Sequence, residues 1–129
     1  VTFTTQSFID ENPELTEDIV RALIKGEATA SADPEAAVAH AFTLIDAAGN
    51  ELFLAQETEL FRWGVESDLI NTLAPAGVGI GIPDTDLLGA EIDAMVDAGV
   101  FDGAPDWASM VDASIAEGVY DGDTLRWPT

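Results

Sequence analysis

A chain of 129 residues that is 47% hydrophobic has enough apolar surface for one domain with a core, which excludes a disordered acidic tail. Twenty-five acidic residues against 4 basic ones leave a net charge of −21. That surface repels nucleic-acid phosphates and anionic membranes, so no DNA- or RNA-binding role is expected, and the absence of cysteine removes disulfides and thiolate chemistry.

Residues 1–7 are β-branched and alternating, which predicts a short strand. Val1 opens directly on this run without a methionine, which reads as the start of a carboxy-terminal fragment. Asn12-Pro13 predicts a helix start, with asparagine as N-cap and proline at the first helical position. Glu14, Glu17 and Asp18 suit the positive end of that helix dipole. Leu15, Ile19, Ala22 and Leu23 form the expected buried face, and the helix is expected to fade over residues 26–31. Asp33-Pro34-Glu35 repeats the start signal, and Val38, Phe42 and Ile45 mark the inner face of a second helix that stops at Gly49.

Asn50 is placed to cap a third helix running to about Val65, with Phe53, Leu54, Glu57, Leu60 and Phe61 along it; residues 68–73 read as a further turn before Pro75. Residues 77–101 are the best-punctuated stretch of the chain. Three glycines alternate in a loop, Ile82-Pro83 ends it, and Asp84 or Thr85 caps a helix whose buried positions are Leu88, Ile92, Met95 and Val96. Gly99 is expected to stop that helix in the left-handed conformation. Asp106 begins another short helix with Trp107, Met110, Val111 and Ile115 on its inner side, and residues 117–129 read as irregular. The sum is a mainly α chain of four to five helices with one short N-terminal strand, either a single domain over residues 1–129 or the carboxy-terminal lobe portion of a larger protein. A lone strand implies partners elsewhere in the polypeptide or on another chain.

Two readings fit the acidity: adaptation to high salt, which shortens the reach of like-charge repulsion, or the ordinary acidic bias of a secreted or periplasmic protein; the scarcity of lysine (Lys25 alone) beside abundant alanine, glycine and aspartate favours the first. No run of roughly eighteen apolar residues and no signal peptide is visible.

Motifs for chemistry are sparse. His40 is the only histidine and has no cysteine or second histidine to complete a metal site. The pattern Gly77, Gly79, Gly81 lacks the third spacing of a dinucleotide loop and the lysine of a phosphate loop, so it reads as a tight connection. Aspartates 84, 86, 102, 106, 121 and 123 do not fall in the EF-hand pattern. No serine sits in a nucleophile elbow, and no catalytic residue, metal or cofactor is assigned. One group has the mixture of aromatic face and charge that suits a small-molecule cleft: Glu57, Arg62 and Trp63, with Phe61 beside them.

Residues 7–42, SFIDENPELTEDIVRALIKGEATASADPEAAVAHAF, carry Phe8, Asn12, Pro13, Glu14, Leu15, Pro34 and Glu35 in an order that resembles the solute-binding proteins of ABC importers. The group resembled most binds the pyrimidine precursor of thiamine, with its nitrate, sulfonate and taurine relatives. The glycine-rich turn GIGIPDTDLL, and the helix ending Ala-Gly-Val-Phe at residues 98–101, are similar to that family's late helix. The resemblance implies a piece of a fold of two α/β lobes outside the cytoplasmic membrane, in the periplasm or an equivalent space. It implies a binding protein and not an enzyme, closing on a small polar ligand and delivering it to an ABC permease. It would make this chain the carboxy-terminal part, with the signal sequence, most strands and most ligand contacts in an amino-terminal part. The same fold group includes synthases of the thiamine pyrimidine that consume a histidine, but His40 lacks their accompanying motif. A third reading is a small acidic helical interaction domain that forms a homo-dimer through its exposed strand or helix faces.

Overall fold

The computed structural model describes residues 2–49, 55–73 and 76–127. It is mainly helical. Six α-helices are present among these residues: α1 (Gln6–Glu11), α2 (Pro13–Ala32), α3 (Pro34–Ala47), α4 (Gln56–Leu73), α5 (Thr85–Asp97) and α6 (Ser114–Gly118). A single 3-10 turn, Trp107–Ser109, and a two-stranded hairpin, β1 (Tyr120–Asp121) with β2 (Thr124–Leu125), complete them. The hairpin is antiparallel, pairing Tyr120 with Leu125 and Asp121 with Thr124 around Gly122 at φ +64°. None of the described helices is long and apolar enough to cross a membrane.

Local chemistry explains the helix ends. Asp33 Oδ1 accepts the Ala36 amide at 3.1 Å and Asp84 Oδ1 accepts the Leu87 amide at 2.9 Å, so both aspartates cap as their sequence context predicts. At the end of α5, Gly99 takes φ +72° and its amide reaches Val96 O, while the Val100 amide reaches Met95 O at 2.9 Å. This paired arrangement satisfies two terminal carbonyls and needs the left-handed residue that glycine supplies.

Several expectations change. Residues 2–5 carry no strand; instead Thr5 Oγ1 accepts the Phe8 amide and starts α1. An N-cap needs only its own next turn, whereas a strand needs a partner edge. Asn12 does not cap α2 with its side chain; Nδ2 turns back and donates to Phe8 O at 3.2 Å, closing α1. Neither Gly26 nor residues 26–31 end α2, which runs to Ala32. The third helix and the following turn are one continuous helix, α4, and the Asn50 cap, Phe53 and Leu54 lie outside the described residues. The sheet forms where the chain reads as irregular, at its carboxy-terminal end. Met110 is strongly exposed and belongs to no inner helix face.

The core is small and sits between the middle of α2, the glycine loop and the hairpin. Ile24, Val119 and Tyr120 are buried together, with Val20, Ile82 and Leu125 packed against them. The expected inner row of α2 (Leu15, Ile19, Ala22, Leu23) lies about 100° round the helix from it and is exposed. α2 carries two apolar rows, and the loop and hairpin cover the Val20–Ile24 row. On α3 the expected side is the inner one, with Val38 buried and Phe42 and Ile45 half-buried. α5 has no buried residue; Leu88, Ile92 and Val96 are half-buried and Met95 is exposed, so this helix lies over the fold and does not form its centre. The carboxy-terminal end is pinned by Arg126, whose amide donates to Val119 O and whose Nε donates to Tyr120 O at 2.8 Å, and by Lys25 Nζ, 5.9 Å from the centre of the Trp127 ring.

The chain exposes 9487 Å², against roughly 6,600 Å² for a compact monomer of its mass. With a net charge of −21 spread on so open a fold, self-repulsion opposes compaction. Raising KCl from about 0.1 M to about 2 M is expected to raise the thermal midpoint, by on the order of 10 °C, as screening shortens the repulsion. A midpoint that is flat or falls over this range, followed by circular dichroism, would show that the acidic surface is not salt-adapted.

Candidate functional site

The three residues with cleft chemistry all lie on α4, and the helix does not turn them to a common side. Trp63 is on the inner face, half-buried, with its Nε1 donating to Ala30 O at 3.1 Å near the end of α2. Its polar handle is therefore used to join two helices. Arg62, one residue earlier, projects outward. Its Nε and Nη2 donate to Glu59 Oε2 at 3.0 and 2.6 Å, and Nη1 lies 3.8 Å from Glu66 Oε1. Pairs of this kind on an exposed helix surface contribute little to stability. Glu57 is exposed in the first turn, where its charge suits the helix dipole. Phe61 is 75% exposed, so it neither packs in the core nor walls a cleft.

A concave feature of the surface lies elsewhere. An open recess of about 220 Å³ lies between α1, α2 and α6, lined by Ile9, Pro13, Thr16, Glu17, Ser114, Ile115 and Gly118. Its polar groups are engaged within the fold. Thr16 Oγ1 donates to Asn12 O at 2.8 Å, Glu17 pairs with Arg21, and Ser114 Oγ donates to Asp112 Oδ1 at 2.6 Å. The recess can take a small apolar group, but it presents no acid–base pair and no nucleophile with an adjacent base.

The glycine loop takes a structural part. Gly77 and Gly81 adopt φ +79° and +87°. Gly79 lies directly beneath the Tyr120 ring, and the Tyr120 hydroxyl donates to Ile80 O at 2.7 Å. Burial raises the Tyr120 pKa above its ordinary 10.0. Among the described residues no three His, Cys, Asp or Glu side chains converge on a point that could hold a metal, and His40 is exposed on α3.

Sequence reasoning passed over the α2–α4 junction beside Trp63. Ser31 follows Ala30, Ser67 is one turn beyond Trp63, and both hydroxyls are buried without a hydrogen-bond partner. No signal in the sequence separates these serines from the others. Compared with protein-family models, with curated proteins and with solved structures, the chain matches none of them.

Proposed function

We propose that this chain is the carboxy-terminal part of an extracytoplasmic solute-binding protein of an ABC importer, with a small polar ligand such as a thiamine pyrimidine precursor, a sulfonate or taurine. The observation that carries the reading is the surplus surface. About 2,900 Å² more is exposed than a compact chain of this mass would show, and the exposed side chains include apolar rows on α2 and α4. Rows of that kind are what a helical layer presents when it packs against further layers of a larger fold. The ordered helix starts at Pro13 and Pro34, and the glycine loop leading into α5, support the same reading through the family they resemble.

In this reading the ligand is captured by closure of two lobes, each ligand favouring the closed state by its differential affinity. The helices described here are scaffold, and Glu57, Arg62 and Trp63 contribute to the ligand cleft only if a second lobe meets α4. The test is a thermal-shift panel on the full-length gene product with taurine, short alkanesulfonates and aminopyrimidines. A true ligand at a hundred times its Kd adds about 2.7 kcal/mol of stability. No shift with any member of the panel would remove the importer ligands named here.

A further inference from the structure

We propose that the corner between α2 and α3 is a salt-dependent hinge, on which α3 and α4 swing away from α2 as a unit, and that Trp63 is its latch. The hinge is independent of the importer reading. Pro34 has no amide, so the Ala30 carbonyl, four residues before it, lacks the donor that a continuing helix would supply. Trp63 Nε1 takes that place at 3.1 Å, from α4. The latch is a side chain standing in for a missing backbone donor, and it is withdrawn when α4 moves off.

Asp33 is the pivot. It alone separates α2 from α3, and its φ of −141° and ψ of 80° lie outside helical geometry. Its amide donates to Thr29 O at 3.2 Å on the α2 side, and its carbonyl accepts the Ala37 amide at 3.1 Å on the α3 side. Rotation about its Cα–C bond turns α3 against α2 and leaves both of these bonds made. α4 packs along α3 and follows it.

The shut joint holds opposing terms. Ser67, one turn beyond Trp63, is 4% exposed, and its hydroxyl has no hydrogen-bond partner among the described residues. The Ser31 hydroxyl, next to Ala30, is buried and unpartnered in the same way. Opening gives both hydroxyls water and takes the Trp63–Ala30 bond away, so the gain and the loss offset each other. A joint so balanced has two states that a modest input can exchange. Charge supplies the input. By sequence α2 is net negative, and so are α3 and α4 together. Low ionic strength therefore favours the open joint, and screening favours the shut one.

The test places pairs of spin labels on the 129-residue chain, which has no cysteine of its own. Labels at Leu23→Cys and Leu69→Cys, both exposed positions, span the joint, whereas labels at Leu44→Cys and Leu69→Cys stay within the moving part. Between about 0.1 M and about 1 M KCl the Debye length falls from about 10 Å to about 3 Å. Over that range the first pair is expected to pass from two distances to the shorter one, and the second to keep a single distance. Ser67→Ala removes an unpartnered hydroxyl and is expected to shift the ratio of short to long about tenfold toward short at low salt. Trp63→Phe keeps a ring without the N–H and is expected to shift it about tenfold the other way. A single Leu23–Leu69 distance at both salts overturns the proposal. So does a Leu44–Leu69 pair that spreads together with the first, because the whole fold is then loosening. A shift toward the longer distance in Ser67→Ala overturns it as well, since that hydroxyl would then be holding the joint shut.

Discussion

Gly79→Ala is expected to destabilise the fold by about 2–4 kcal/mol, lowering the thermal midpoint by roughly 10 °C. A methyl group built at Gly79 would collide with Tyr120 Cζ and lie 2.6 Å from both Cε atoms. Real carbon atoms do not approach so closely, and the ring has little freedom to retreat. Tyr120 is 7% exposed, packs on Ile24 and Val119, and holds its hydroxyl on Ile80 O. Displacing the ring breaks that hydrogen bond and opens the small core at once. Gly77→Ala is the comparison. It meets nothing within 4 Å but occupies φ +79°, so only backbone strain of about 1 kcal/mol is expected. Urea denaturation of both variants at fixed salt separates the two causes. Equal losses would mean that the ring contact is not what requires glycine at position 79.

Ile24→Asp is expected to abolish cooperative unfolding at low salt. Ile24 is 6% exposed, and its Cγ1 would lie 3.1 Å from a methyl group placed on Gly81. A carboxylate here has no basic side chain in the Ile24–Val119–Tyr120 cluster, so the change costs about 3–5 kcal/mol even if the acid protonates. Domains of this size hold only about 5–15 kcal/mol in total, and the described residues include few other buried apolar groups to compensate. The informative control is Ile19→Asp. Ile19 belongs to the row that periodicity assigns to the core, yet it is exposed, and its replacement is expected to cost no more than about 0.5 kcal/mol. Near-ultraviolet circular dichroism and urea titration check both. If Ile19→Asp is the more damaging of the two, the outer row of α2 is covered in solution and the inner one is not the core.

The contrast between Ile19 and Ile24 shows where sequence reading stops. Both lie in apolar rows at helical spacing, and spacing alone cannot say which row is covered. The same holds for α5, whose Leu88, Ile92 and Val96 have a proper helical period but no buried member. It holds for α4, where apolar groups on both sides leave no preferred face to read. The candidate cleft of Glu57, Arg62 and Trp63 rests on residue types that cluster in sequence. On a helix, neighbours one residue apart are turned by about 100°, so Arg62 and Trp63 diverge, and the Trp63 N–H is taken by Ala30 O from 33 residues away.

The sequence by itself determined what is settled within one helical turn. Asp33 and Asp84 cap because their own side chains reach the amides three residues on, and Gly99 stops α5 because glycine pays least for positive φ. Composition determined the acidic, helix-rich character in the same direct way. The tertiary structure decided everything that depends on distant residues meeting. It set the Tyr120 ring over Gly79, the hairpin against α2, the half of α2 that faces inward, and the exposed ridge of α4. The physical reason is that a cap is closed by one hydrogen bond between near neighbours. Burial depends on which far segment returns to cover a face, and in this chain two faces of one helix compete for that cover.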